Sequence, residues 1–316
     1  MRNPLAGLGA RLGGVARSWR HRAGVADDVV VGTVPGTPAV RLVTDSTACL
    51  PADWVAARGV RVVPLRVITP DGELREGVDT LPREISGRLA GGQRLSTSQP
   101  PPADFGAVYE ALAAEGAREI VSVHLAGSIS GTVSAARVAA ANAPVPVTVV
   151  DSGTTAMALG LAVQQASLAS SAGAPAAQVA ARAAEVAGRA SLLFLVDSLD
   201  HLRRGGRITA GRAALAAALG VRPILELGRE GVVLLQRVRT RRAAIARLAS
   251  LAVERSRGLA AVAVAVHHLD AADRAAEIAQ LLAAQLGVPV TATPASAVLA
   301  VHAGPGAIAV VITDVS

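Results

Sequence analysis

The chain contains no lysine: all 31 of its Lys and Arg residues are arginine. A Schiff-base lysine and the lysine of a Walker A loop are both excluded. Cysteine occurs once, at Cys49. That rules out an intrachain disulfide and a cysteine-rich zinc site, and fits a reducing cytoplasm. Aromatic side chains make up 2% of the sequence and are limited to Trp19, Trp54, Phe105, Tyr109 and Phe194. A single-stranded nucleic-acid binder needs more stacking surface than that. No apolar run reaches the ~18–20 residues that span a bilayer. There is no Gly-x-Gly-x-x-Gly turn for a dinucleotide.

Acidic charge is missing at one end only. Residues 1–26 hold Arg2, Arg11, Arg17, Arg20 and Arg22 and no acid, while the rest of the chain carries 26 arginines against 24 Asp and Glu. The formal net charge of +7 is therefore not the spread basic surface of a nucleic-acid binder. Leu5, Leu8, Leu12, Val15 and Trp19 recur at helical spacing between the arginines, the pattern of a basic helix on an anionic membrane surface. Gly7, Gly9, Gly13 and Gly14 weaken that helix. Residues 1–39 are expected to form a basic, disordered extension that touches membranes transiently through residues 1–26. Val34-Pro35-Gly36-Thr37-Pro38 reads as its linker.

What is present is Ala, Val and Leu, in a chain that is 51% hydrophobic. From Val40 onward short apolar strands alternate with helices. Strands are expected at 40–44, 60–68, 119–125 and 147–150, with a helix over 102–115 and two Ala-rich helices at about 156–172 and 175–188. This alternation predicts a parallel, Rossmann-like sheet covered by helices. Ligands bind such sheets beyond the carboxyl ends of the strands. Three strands end there in polar loops: Asp45-Ser46-Thr47, Ala126 to Thr132, and Asp151 to Thr155. Ser96-Thr97-Ser98-Gln99 precedes Pro100-Pro101-Pro102, so it reads as a stiff extended turn rather than a strand, its hydroxyls capping the following helix or holding an anion. After residue 155 the pattern changes to hairpins plus helices, which predicts a second α/β domain with a mixed or antiparallel sheet. The expected division is an extension at 1–39, an N-terminal domain at 40–155 and a C-terminal domain at 156–316.

The order of motifs across residues 40–313 resembles the DegV family of bacterial fatty-acid-binding proteins. Val43-Thr44-Asp45-Ser46-Thr47, Thr97-Ser98-Gln99-Pro100, Ser130-Gly131-Thr132 and Asp151-Ser152 carry the resemblance in the first half. Leu199 to Ile208, with Asp200-His201-Leu202-Arg203-Arg204-Gly205-Gly206-Arg207 inside it, is the most specific stretch. Arg222-Pro223-Ile224-Leu225, Val238-Arg239 and His302-Ala303-Gly304-Pro305-Gly306 complete the series. The resemblance implies a two-domain α/β protein that encloses a long-chain fatty acid between its domains. It implies no catalytic residue and no cofactor beyond that ligand. In some members a separate ATP-dependent fatty acid kinase phosphorylates the presented carboxylate. By this likeness Thr97 bonds the carboxylate with His302 beside it, Ser98 lines the same site, Arg207 supports it, and Arg239 faces the kinase. Two positions depart from the family. Ala126 and Gly127 stand where a pair of serines is frequent, so Ser128 is expected to substitute. Ala300 replaces a usual glycine.

Two other readings stay open on the residues alone. One is a Ser-dependent hydrolase of lipid-like substrates using Ser98, His302 and Asp45, although the chain has no Gly-x-Ser-x-Gly elbow. The other is a lipid sensor with no kinase partner. His267-His268 invites a metal, but neighbouring strand residues face opposite ways. His302, just before Gly304-Pro305-Gly306, reads as a strand-end histidine. His124, in an apolar strand, reads as a satisfied core histidine.

Overall fold

The computed structural model describes residues 38–208 and 221–316. Residues 1–37 of the expected extension, and with them its membrane contact, lie outside the described residues.

Strand β1 (Val40–Asp45) is central to the first sheet, with β2 (Arg61–Val63) on one side and β6 (Glu119–His124) then β7 (Val147–Asp151) on the other, all parallel. Each strand runs between helices, among them α1 (Ala52–Arg58), α3 (Pro102–Ala114) and α4 (Thr132–Ala140). Burial of β1 and β6 on both faces explains their largely apolar sequences. Their carboxyl ends place Asp45, Leu125 and Asp151 along one edge.

The expected strand over 60–68 is two strands in two sheets. Pro64 has no amide hydrogen to give to a ladder, and the next amide, of Leu65, donates to Ser46 Oγ at 3.0 Å instead. The chain then turns into β3 (Arg66–Thr69), which pairs antiparallel with β4 (Gly72–Arg75) on one side and β5 (Ser96–Ser98) on the other. The Ser-Thr-Ser stretch is therefore a strand and not a turn. Its prolines lie just beyond the last paired residue, where they cost no ladder bond, and Pro102 opens α3. Helix α2 (Pro82–Ala90) links β4 to β5.

The second half begins with α5 (Ala156–Ser171) and α6 (Ala176–Arg189). Helix α5 is buried on most sides and touches strands of both larger sheets. Its small side chains allow that approach. The six-stranded sheet has the order β10-β9-β8-β13-β11-β12. Here β8 is Ser191–Leu195, β9 Arg222–Gly228, β10 Gly231–Val238, β11 Val262–His268, β12 Val290–Pro294 and β13 Ile308–Asp314. Only β11 and β12 pair in parallel; the rest is antiparallel. Helix α7 (Asp200–Gly205), α8 (Arg241–Ser256), α9 (Ala272–Leu286) and α10 (Ala297–Ala303) complete the described elements. The chain is thus an α/β protein with a parallel four-stranded sheet and a separate mixed sheet. One hydrophobic core runs between them, joining Leu42, Val121 and Leu159 to Val298, Val301 and Val311. The burial it provides favours folding at roughly 25 cal/mol per Å² of apolar surface.

Candidate functional site

Between the layers lies a cavity of about 150 Å³, walled by both halves of the chain. Most of the wall is apolar: Leu65, Leu125, Ile129, Phe194, Val298 and Leu299 are representative.

One polar group in the wall is assembled from three elements. Strand β5 brings Thr97 and Ser98, the segment after α7 brings Arg207, and α10 brings His302. Thr97 Oγ1 lies 2.8 Å from His302 Nε2. His302 sits inside a helix and not at a strand end. Ser296 caps that helix by accepting from the Leu299 amide at 3.1 Å, and Gly304 ends it. Two close approaches fix the ring's place. A Cβ on Gly205 would lie 2.4 Å from His302 Nδ1, and one on Gly304, at φ +78°, would lie 2.5 Å from the His201 ring. Both glycines therefore make room for histidines. Burial, then Arg207 and His201 nearby, push the His302 pKa down to about 4, so the ring is neutral at pH 7. Its Nδ1 is buried with no partner among the described residues.

Arg207 is held by backbone carbonyls. Its Nε donates to Ile129 O at 3.1 Å and its Nη1 to Gly205 O. It ties the loop after β6 to α7 while keeping its charge beside His302.

Four of the expected ligand residues, Thr97, Ser98, Arg207 and His302, share this wall. Ser128 does not: it is exposed in the turn after β6, and Ser130 of the same loop lines the cavity instead. Arg239 is exposed beyond β10. Ala126 is fully buried. At position 127 a Cβ would lie 2.6 Å from Asp151 Oδ2, and the Gly127 amide donates to both oxygens of that carboxylate. Asp151 thus occupies the space a serine side chain would need.

His267 and His268 both reach the cavity wall, which strand alternation did not predict. No metal is required to explain His267. Its Nε2 accepts from the Met157 amide at 3.1 Å and its Nδ1 meets Thr293 Oγ1 at 3.1 Å. Burial pushes its pKa down to about 4. The described residues contain no cluster of metal-ligating side chains. Phe194, Gln99 and Thr155 also line the cavity. Gln99 and Thr155 belong to polar stretches already marked in the sequence, whereas nothing in the local sequence marks Phe194.

The hydrolase set is not assembled. Asp45 Oδ2 meets His124 Nδ1 at 3.1 Å, and His302 meets Thr97 rather than Ser98. A Ser-His-Asp string does exist elsewhere: Ser122 Oγ lies 2.7 Å from His124 Nε2, with Tyr109 donating to Ser122. Ser122, His124 and Asp45 are all at 0% exposure, so no substrate reaches them. The string braces the core beneath the strand ends, with Asp45 also accepting from Thr47 Oγ1 at 2.6 Å.

Residues 39–314 match the family model described as an uncharacterised protein, DegV family. The chain belongs to the DegV family. A DegV domain-containing protein of Streptomyces coelicolor is 42% identical over 277 residues, covering 87% of this chain and 98% of the relative. Among solved structures, one reporting fatty acid binding of a DegV family protein from Thermus thermophilus superposes with a TM-score of 0.81 at 32% identity, covering 87% of this chain and 99% of that one. DegV of Bacillus subtilis, described as a fatty acid binding protein, superposes with a TM-score of 0.81 at 29% identity, covering 88% and 100%. No helix among the described residues is long and apolar enough to cross a membrane.

Proposed function

We propose that the chain binds one long-chain fatty acid in this cavity and presents its carboxylate to a separate ATP-dependent fatty acid kinase. The kinase would move the terminal phosphoryl group of ATP to a carboxylate oxygen, leaving ADP and an acyl phosphate. The chain itself acts as a carrier, not a catalyst, and works in the cytoplasm. Its units are the extension at 1–39, a domain at 40–155 and a domain at 156–316, with the ligand between the last two.

The observation that carries this reading is the Thr97–His302 pair set into a mostly apolar wall. A tail of roughly sixteen carbons gains on the order of 12 kcal/mol at about 0.8 per CH₂, before association and ordering costs. Thr97 and a His302 N–H then donate to the carboxylate, with Ser98 at the same wall and Arg207 supplying positive potential. The fatty-acid-binding relatives support the ligand class. The kinase rests on the family resemblance and on exposed Arg239, the residue we assign to the partner surface.

Native mass spectrometry of the purified protein tests the ligand. The expected result is one fatty acid per chain, identified after denaturing release. An apo mass that takes up no added fatty acid overturns the reading. For the kinase, Arg239→Glu should lower acyl phosphate formation with unchanged fatty acid affinity.

A further inference from the structure

Glu76 is buried, and the carrier chemistry above makes no use of its carboxylate. It stands just after β4, in the chain that leaves the three-stranded sheet. Its own amide donates to Leu65 O at 2.9 Å, and its Oε2 accepts from Ser46 Oγ at 2.6 Å. Its Oε1 accepts from the amides of Ala297 and Val298, the first two residues of α10. Ser296 already caps that helix through the Leu299 amide. Glu76 thus takes two further amides of the four that a helix start leaves open. Burying a carboxylate costs free energy unless donors meet it, and here three do.

Thr97 lies in β5 of the same sheet, and His302 lies in the last turn of α10. Among the described residues, hydrogen bonds therefore tie α10 to this sheet and the chain leaving it at two points. Thr97 and His302 make the tie at one end of the helix, and Glu76 makes it at the other. The ends are about 10 Å apart at 1.5 Å per residue. Thr97 and the neutral His302 ring offer one hydrogen each, and one of the two is spent on their own bond. A carboxylate that takes both hydrogens parts the pair and opens the tie at that end. Glu76 is then the polar tie that remains.

We propose that Glu76 is a positioning residue for the fatty acid head group: it holds α10 against the sheet while the ligand carboxylate parts Thr97 from His302. The inference rests on the fatty-acid reading above. It gives a residue outside the cavity wall a part in telling a carboxylate from other head groups on the same tail. Glu76 does not touch the ligand; with Ser46 and Ser296 it lines a separate surface groove. It acts through the placing of His302 alone. Bonds to a charged group are short and directional, so a small drift of α10 weakens them more than it weakens tail contacts.

The probes are palmitate and 1-hexadecanol, which has the same tail and an uncharged head. Their affinities for the full chain are measured by displacement of a fluorescent long-chain probe. Glu76→Met removes the acceptors at similar length. It is expected to lose about tenfold in palmitate affinity, as for one weakened bond to a charged group, and less than about twofold for 1-hexadecanol. Glu76→Gln keeps one oxygen for the two amides and can donate to Ser46 Oγ, so it should recover most of the loss. Ala297→Pro removes one of the two amides from the helix side. The first helical position suits proline and Ser296 before it is already extended, so this variant should repeat the selective loss. On a His302→Gln background, Glu76→Met should cost less than about twofold further, because it acts through that ring. Equal losses for both ligands in whichever of Glu76→Met and Ala297→Pro folds overturn the assignment. So does a Glu76→Gln variant no better than Glu76→Met, or an undiminished second loss on the His302→Gln background. Palmitate binding that both tie-breaking variants leave unchanged refutes this inference alone, whereas a parent that takes up neither ligand refutes the fatty-acid reading beneath it.

Discussion

Thr97 Oγ1 and His302 Nε2 lie 2.8 Å apart although 205 positions of sequence separate them. The bond joins the three-stranded sheet to helix α10 in the wall of the cavity. His302 is neutral there, so one ring nitrogen carries a proton and the other accepts. The pair spends one of its two hydrogens on its own bond, so a carboxylate that takes both must part the pair, but it displaces no counter-ion.

Thr97→Val keeps the shape of the side chain and removes its hydroxyl. A hydrogen bond to a charged group contributes roughly 1.5–3 kcal/mol, so palmitate affinity should fall about ten- to a hundredfold. Ser128→Ala, at an exposed position, should stay within about twofold. Calorimetric titration of both variants checks the pair, and an unchanged Thr97→Val would place the carboxylate elsewhere.

Burial of His267 makes stability depend on pH. Its pKa is about 4 in the folded chain and about 6.5 when unfolded. The unfolded state therefore binds the proton first as pH falls, and stability is lost progressively between about pH 6.5 and 4. At pH 5 the loss from this one ring is about 2 kcal/mol. His267→Gln should flatten that part of the profile, seen as a smaller difference in Tm between pH 7 and pH 5 than in the parent.

Gly127→Ser would place a serine where the family resemblance leads one to expect it. Its Cβ would crowd Asp151, whose carboxylate already accepts from the amides of Gly127 and Gly153. A loss of about 1–2 kcal/mol in urea unfolding is expected. Adding Asp151→Ala should recover part of it, because the clash and the carboxylate are removed together. Two independent losses that simply add would show that the two positions are not coupled.

The ester-cleaving alternative gives a direct contrast. Since His302 meets Thr97 and Asp45 is committed to His124, Ser98→Ala should leave any background ester turnover unchanged. Labelling of Ser98 by a serine-directed phosphonate, with matching loss of turnover in the variant, would reverse the assignment.

The parallel sheet was legible because strands buried on both faces are rich in apolar residues, as in Val40 to Thr44 and Glu119 to His124. Thr97 was legible as a candidate through its motif but not as a strand residue, since the prolines behind it masked the pairing with β3. The split at Pro64 was hidden by an apolar run that continues across it. His302 could be nominated from sequence, yet its helix could not: Ala297 to Ala303 is short, and its start depends on groups far away.

Helix α10 has a feature that bears on how the site comes into being. The Glu76 carboxylate, just after β4, is buried, accepts from the amides of Ala297 and Val298, and accepts from Ser46 Oγ at 2.6 Å. The orphan amides that open the histidine-bearing helix are thus satisfied by a residue more than two hundred positions upstream. A fragment ending before residue 156 would supply Thr97 without His302; a fragment starting there would supply His302 on a helix with two amides unmet. The head-group site is a property of the reassembled chain. Mixing the two fragments would make fatty acid capture a reporter of their association.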